Sequence, residues 1–73
     1  MPKLYSARQV IKALERLGFE IVSQKGSHIK LRKLTDNNTF SPIIPNHKEI
    51  AMGTLQSILR QAGITKEELD EKI

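Results

Sequence analysis

The fold is decided by one stretch of sequence, Lys25-Gly26-Ser27-His28-Ile29-Lys30-Leu31-Arg32. Its glycine predicts a tight turn, and the alternation that follows predicts the start of a β-strand. If the apolar residues Ile29 and Leu31 face the core, the polar residues between them face solvent. These are His28, Lys30 and Arg32. A titratable imidazole beside two cations on an open sheet face suits chemistry on a phosphodiester better than it suits core packing.

The residues before this stretch predict a helix and a first strand. Ser6 and Gln9 have the spacing of a capping box at the start of the helix, and Gly18 is the natural residue to end it. Residues 19–24 then predict a strand, residues 25–26 a tight turn, and residues 27–34 the hairpin partner. This half of the chain is therefore expected to form a helix followed by a β-hairpin.

The residues after the hairpin predict a third strand and two more helices. Residues 39–45 are expected to be the strand, and Pro42, which has no N–H to donate, predicts an edge position or a bulge there. An apolar helical spacing ends at Gly63, and a further capping box predicts a short helix after it. We therefore expect one α+β domain over residues 1–73. Its order is α-β-β-β-α plus a short C-terminal helix, with a three-stranded antiparallel sheet and the helices on one face.

Composition limits the class of protein. The chain has 73 residues and no cysteine, so neither a disulfide framework nor a zinc–thiolate site is expected. Its apolar runs are too short to cross a membrane, and the N-terminus lacks the apolar region of a signal peptide, so we expect a cytoplasmic protein. Residues 1–34 hold eight basic and two acidic residues, a balance of +6, whereas residues 35–73 hold four and six, a balance of −2. This asymmetry predicts a polyanionic partner on one face.

RNA fits this pattern because it carries its own nucleophile, the 2′-hydroxyl. Cleavage then needs no metal if the protein supplies a base for the hydroxyl, cations for the phosphorane charge, and an acid for the leaving 5′-oxygen. An imidazole can be the base, since its ordinary pKa of about 6.5 leaves it largely neutral at pH 7. The cations Lys25, Lys30 and Arg32 are expected to hold the phosphate. Gly26 would allow close approach of the backbone, and Ser27 could donate a hydrogen bond.

Other candidates have plainer interpretations beside the functional one. His47 could be the complementary acid, or a loop or surface residue; a lysine or water could supply the acid instead. The row Arg8, Lys12 and Arg16 lies at helical spacing and could track a phosphate backbone, meet acidic groups on a protein partner, or be a solvated helix face. The two histidines have no cysteine or carboxylate at ligand spacing beside them, so no metal or other cofactor is expected.

The chain resembles the HicA (YcfA-like) family of small bacterial toxins. The matching features run almost end to end: Leu17-Gly18-Phe19, Lys25-Gly26-Ser27-His28, Pro45-Asn46-His47 and the run from Gly53 to Gly63. The resemblance implies an mRNA interferase with a double-stranded-RNA-binding-domain-like fold, and His28 as its catalytic residue. It also implies a HicB-type antitoxin that binds the protein and blocks its active face, with a monomer alone and a hetero-oligomer in the complex.

Three functions remain open from the sequence. The first is an endoribonuclease toxin with His28 as general base. The second is a non-catalytic RNA-binding module that uses the same basic face. The third is a protein-interaction domain whose cationic face docks an acidic partner, and only a cleavage assay separates all three.

Overall fold

The computed structural model describes residues 4–73, so the first three residues of the expected domain lie outside the described part. Helix α1 runs from Ala7–Arg16 and begins at the predicted capping box. The Gln9 backbone N–H donates to Ser6 Oγ at 3.1 Å, and the Ser6 backbone N–H donates to Gln9 Oε1 at 3.0 Å. Gly18 follows the last turn with φ of 100°, a left-handed conformation that favours glycine. Both predicted ends of the helix are confirmed.

The predicted hairpin consists of β1 (Glu20–Lys25) and β2 (His28–Leu34), which pair antiparallel. The loop contains Gly26 and Ser27, one residue later than the predicted turn, because Lys25 still pairs with His28. Gly26 has φ of 57° and is the only residue of the loop with positive φ, which matches a type II′ turn with glycine at its first central position. The hairpin prediction is therefore confirmed with a shift of one residue at the turn.

The expected third strand is divided at its proline. It forms β3 (Thr39–Phe40) and β4 (Ile43–Pro45), both antiparallel to β2. The prediction of a continuous strand over residues 39–45 was therefore wrong, whereas the predicted irregularity at Pro42 is confirmed. The Pro42 carbonyl accepts from the Leu31 amide at 3.0 Å, so the chain keeps following β2 through the break.

Two helices follow the sheet. Helix α2 (Met52–Ala62) ends at Gly63, whose φ of 69° lies in the left-handed region. Helix α3 (Lys66–Asp70) begins at a second capping box, in which Thr65 Oγ1 accepts from the Glu68 amide at 3.1 Å. These ends were predicted from the residue types alone, and both are confirmed.

All three helices contribute to a core on one face of the sheet. The strands provide Ile29, Leu31 and Ile44, and the helices provide the larger share, including Val10, Leu14, Leu55, Ile58 and Leu69. The outer face of the sheet is left to solvent, as the alternation of buried and exposed residues along β2 shows. The architecture is α+β and compatible with the expected double-stranded-RNA-binding-domain-like order.

The short helix α3 and the residues after it are held by the buried Leu69 and by polar contacts, of which one lies inside α3 and two reach Tyr5 and Arg16 at the ends of α1. The Tyr5 hydroxyl donates to Asp70, Lys66 forms a salt bridge to the same carboxylate at 3.0 Å, and the Arg16 guanidinium donates to the Lys72 carbonyl at 2.6 Å. The hydrogen bond from Tyr5, and to a smaller extent the hydrogen bond from Lys66, lowers the pKa of Asp70. In residues 4–73, no helix has both the length and the apolar character needed to cross a membrane.

Candidate functional site

The outer surface of the sheet brings together side chains from three strands. Residues paired across an antiparallel ladder point to the same side, so the register defines this surface. Lys25 of β1 and Pro45 of β4 flank His28, while Ser23 and Ile43 flank Lys30. We name this surface the cationic face and define it by the following residues: Ser23, Lys25, His28, Lys30, Arg32 and Ile43.

His28 is the first residue of β2 and is exposed. It is held there by pairing on both sides, with Lys25 in the hairpin and Pro45 in β4. The adjoining turn is fixed as well, because the Asn46 amide donates to the Ser27 carbonyl at 2.6 Å. A backbone tied to two neighbours presents the imidazole to solvent from a rigid position, which is the arrangement that a general base requires.

The cations of this face are not neutralised by the protein. Across the part of the chain that the structure describes, the one salt bridge joins Lys66 to Asp70, away from the sheet. Glu20 lies opposite Arg32 in the β1–β2 register but forms no ion pair with it. The positive charge is therefore strongest at the Lys25 and Lys30 end, beside His28. Unpaired cations on an exposed sheet attract phosphate groups.

A shallow pocket of about 360 Å³ opens on the cationic face. Five of the six residues that define the face line it: Ser23, Lys25, His28, Lys30 and Ile43. Arg32 lies outside this pocket and lines a second one at the edge of the sheet, together with Glu20, the residue opposite it in the register. The histidine and two of the expected phosphate-binding lysines therefore share one concave surface.

The turn residues Gly26 and Ser27 lie at the edge of the cationic face and are exposed. A Cβ atom on Gly26 would meet nothing within 4 Å, so open space surrounds the turn, and its positive φ explains the glycine. Lys33, one residue beyond Arg32, points to the other side, where its Nζ donates to the Leu17 carbonyl at 2.8 Å. Period-two alternation thus continues to the end of β2.

The helical row is not brought to the cationic face. Helix α1 packs on the inner side of the sheet, and Arg8, Lys12 and Arg16 are exposed on it without lining the pocket of His28 described above. Arg16 is also engaged, since its guanidinium donates to the Lys72 carbonyl. The row and His28 therefore do not share a pocket.

His47 lies in the loop after β4, and its backbone carbonyl accepts from the Ala7 amide at 2.9 Å. It lines a pocket different from that of His28, together with Ser6, Arg8, Asn46 and Lys48. The two imidazoles therefore line separate concave surfaces. Residues 4–73 contain no group of three or more histidine, cysteine or acidic side chains arranged to hold a metal ion.

Sequence reasoning missed two residues of the pocket, Ser23 and Ile43. Ser23 lies two residues before Lys25, so period-two counting along β1 could have found it. Ile43 had no such signal, because it belongs to the strand that Pro42 divides. Its side chain is 44% exposed, whereas that of the neighbouring Ile44 is buried.

The fold and this surface define a class: a small basic α+β protein that exposes a histidine among unpaired cations on an open antiparallel sheet. A family model described as the HicA toxin of bacterial toxin–antitoxin matches residues 7–64. The chain therefore belongs to the HicA toxin family and is the toxin of a toxin–antitoxin system, with an antitoxin as its partner. A comparison with curated proteins gives no match.

Proposed function

We propose that the protein is a metal-independent endoribonuclease that cleaves mRNA with His28 as the general base. The observation that carries this proposal is the position of His28 between Lys25 and Lys30 in one pocket on an otherwise solvated sheet face. A neutral imidazole would take the proton of a 2′-hydroxyl, whose oxygen then attacks the adjacent phosphorus. The bond to the 5′-oxygen breaks, and the products are a 2′,3′-cyclic phosphate and a 5′-hydroxyl.

The neighbouring residues supply the other requirements of this reaction. Lys25, Lys30 and Arg32 neutralise the charge that grows on the phosphate oxygens. Gly26 and Ser27 lie beside the imidazole, where an open turn accommodates the RNA backbone and the serine hydroxyl can donate to it. The acid for the leaving oxygen comes from a lysine of the face or from water, since His47 lines a different pocket.

The antitoxin partner, which we propose to be of HicB type, would inhibit the enzyme by covering the cationic face. An acidic surface would complement the charge of this face, and contact there would exclude RNA from His28. The separate row of Arg8, Lys12 and Arg16 would then contact either more distant RNA phosphates or the antitoxin. The toxin would be monomeric alone and hetero-oligomeric in that complex.

The test is cleavage of a long single-stranded RNA in EDTA by the protein purified free of antitoxin. We expect His28→Ala to lower the rate by about 10²–10⁴-fold, the typical contribution of one positioned acid or base. His47→Ala is the matched control, because it removes the other histidine from a neighbouring pocket. Circular dichroism of each variant establishes that the fold is intact.

Equal cleavage by the wild type and His28→Ala would contradict the proposal and indicate a contaminant or a different site. A second candidate, a non-catalytic RNA-binding module, is favoured by the same unpaired cations, which do not depend on the histidine. It predicts salt-dependent RNA binding by the wild type with no cleavage at any enzyme concentration.

A further inference from the structure

We propose that the pocket beside His28 is a nucleobase site, in which the base next to the scissile phosphate lies on Ile43 with its edge toward Ser23. This inference rests on the proposed ribonuclease function and adds a specificity determinant to it. Ile43 and Ser23 flank Lys30 on opposite strands and line the same pocket as His28.

The size and lining of the pocket suit a base. Its volume of about 360 Å³ lies near the lower end of the range of about 300–1,000 Å³ for small-molecule sites. Most of the exposed lining is apolar, although the surrounding surface is cationic. A nucleobase needs this combination, since its faces are apolar and its edge forms hydrogen bonds, while the attached phosphate needs cations.

The position of the pocket also fits one nucleotide. Pro45 of β4 pairs with His28 across a strand spacing of about 4.8 Å, and Ile43 lies two residues, about 6.7 Å, further along β4. A phosphate at His28 therefore places the neighbouring base over Ile43 and Lys30. Single-stranded RNA can present a base in this way because its bases are free to unstack.

The structure holds Ile43 in place although its side chain faces solvent. Its backbone N–H donates to Gln61 Oε1 of α2 at 3.0 Å. The preceding Pro42 is fully buried, and its carbonyl accepts a hydrogen bond from the Leu31 backbone N–H. An exposed apolar side chain on a backbone held by hydrogen bonds to α2 and β2 is a rigid platform. Such rigidity lowers the entropic cost of ordering a base on it.

The experiment begins with a short RNA that the wild type cuts at one defined bond. We expect Ile43→Ala to lower kcat/KM for this RNA about tenfold, as loss of the apolar contact of one aliphatic side chain predicts, and Ile43→Leu to retain most of the activity. Ile73→Ala is the matched control, because Ile73 is 43% exposed and Ile43 is 44% exposed, but Ile73 lies at the C-terminus. This control should cut at the wild-type rate.

An RNA with an abasic nucleotide beside the cut bond identifies the group that Ile43 contacts. The wild type should lose about as much activity on the abasic RNA as Ile43→Ala loses on the intact one, and the two changes together should cost little more than either alone. Ser23→Ala should change which base is preferred at that nucleotide. Additive losses would contradict the nucleobase site.

Two further results would overturn the inference while leaving the ribonuclease proposal standing. One is a wild type that cuts while Ile43→Ala cuts the same bonds at the same rate as Ile73→Ala. The other is an Ile43→Ala variant that retains cleavage but no longer binds the antitoxin, which would assign this side chain to the protein interface. If the wild type itself does not cut, the ribonuclease proposal fails first.

Discussion

The two faces of β2 have opposite surroundings although alternate residues of one strand form both. Ile29 and Leu31 are buried under the helices, whereas His28 and Lys30 face solvent on the open side. The inner face supplies the rigidity, and the outer face carries groups whose removal leaves the packing unchanged. The difference implies that stability and activity can be altered separately by substitutions only one residue apart.

The largest expected effect on stability comes from the inner face. Leu31→Ala removes a side chain that is completely buried at the centre of the core and should lower the free energy of unfolding by about 2–5 kcal/mol. Lys30→Ala, one residue earlier on the outer face, should change it by less than about 1 kcal/mol. Urea denaturation followed by circular dichroism measures both, and similar losses would contradict the division between the faces.

Two glycines of the helical layer provide a second test, because substitution by alanine is expected to destabilise the protein at one and stabilise it at the other. A Cβ on Gly63, whose φ is 69°, would lie 2.5 Å from Phe40 Cε1, so Gly63→Ala should destabilise by at least about 1–2 kcal/mol. Gly53 is the second residue of α2, and a Cβ there would meet nothing within 4 Å. Gly53→Ala should therefore stabilise by up to about 0.5–1 kcal/mol. Thermal unfolding of the two variants gives the signs, and a stabilised Gly63→Ala would refute the packing described.

The outer face is tested by the salt dependence of RNA binding, measured on a His28→Ala background so that no RNA is cut. Each phosphate contact on a single strand contributes about −0.7 to the slope of log K against log salt. Lys30→Ala should reduce the slope by about this amount. Arg60→Ala removes an exposed cation from α2 and should leave the slope unchanged. Equal changes in both variants would show that net charge, rather than the cationic face, governs binding.

The smallest expected effect concerns the attachment of α3, far from the cationic face. Because the hydrogen bonds from Tyr5 and Lys66 lower the pKa of Asp70, the folded state favours the ionised carboxylate. Its contribution to stability is present above the ordinary carboxyl pKa and is lost as the pH falls through the lowered one. Asp70→Asn should therefore reduce Tm slightly at pH 7, and the difference should vanish in acid.

Glu67→Gln provides the control for that measurement, since it removes one charge from the same helix. A difference that is as large in acid as at pH 7 would contradict an electrostatic origin. Neither variant should alter RNA cleavage, because α3 lies on the helical side of the sheet. Loss of cleavage in Asp70→Asn would show that α3 affects the cationic face, and would contradict the separation of stability from activity.

Local signals predicted much of this protein. Capping boxes at Ser6 and Thr65 and the left-handed glycines Gly18 and Gly63 mark helix ends because each acts through hydrogen bonds within a few residues. The alternation along β2 likewise separated the buried Leu31 from the exposed residues beside it. These features need no knowledge of the rest of the fold.

The candidate site was only partly predictable. His28, Lys30 and Arg32 followed from the alternation of one strand, but Ile43 joins His28 and Lys30 because β4 pairs with β2 in one particular register. Pairing between strands depends on contacts distant in sequence, so no local pattern encodes it. The same limit applies to Arg16, which the sequence presents as a free cation and the fold ties to the Lys72 carbonyl.

By itself, the sequence determined both ends of α1, the end of α2 and the start of α3, which residues of β2 face solvent, and the family to which the protein belongs. Only the tertiary structure decided that Pro42 divides the third strand, that Ile43 completes a pocket with His28, and that the cations of α1 lie outside that pocket. The physical reason is range: caps and alternation act between neighbours, whereas a pocket is formed by side chains that strand register and layer packing bring together.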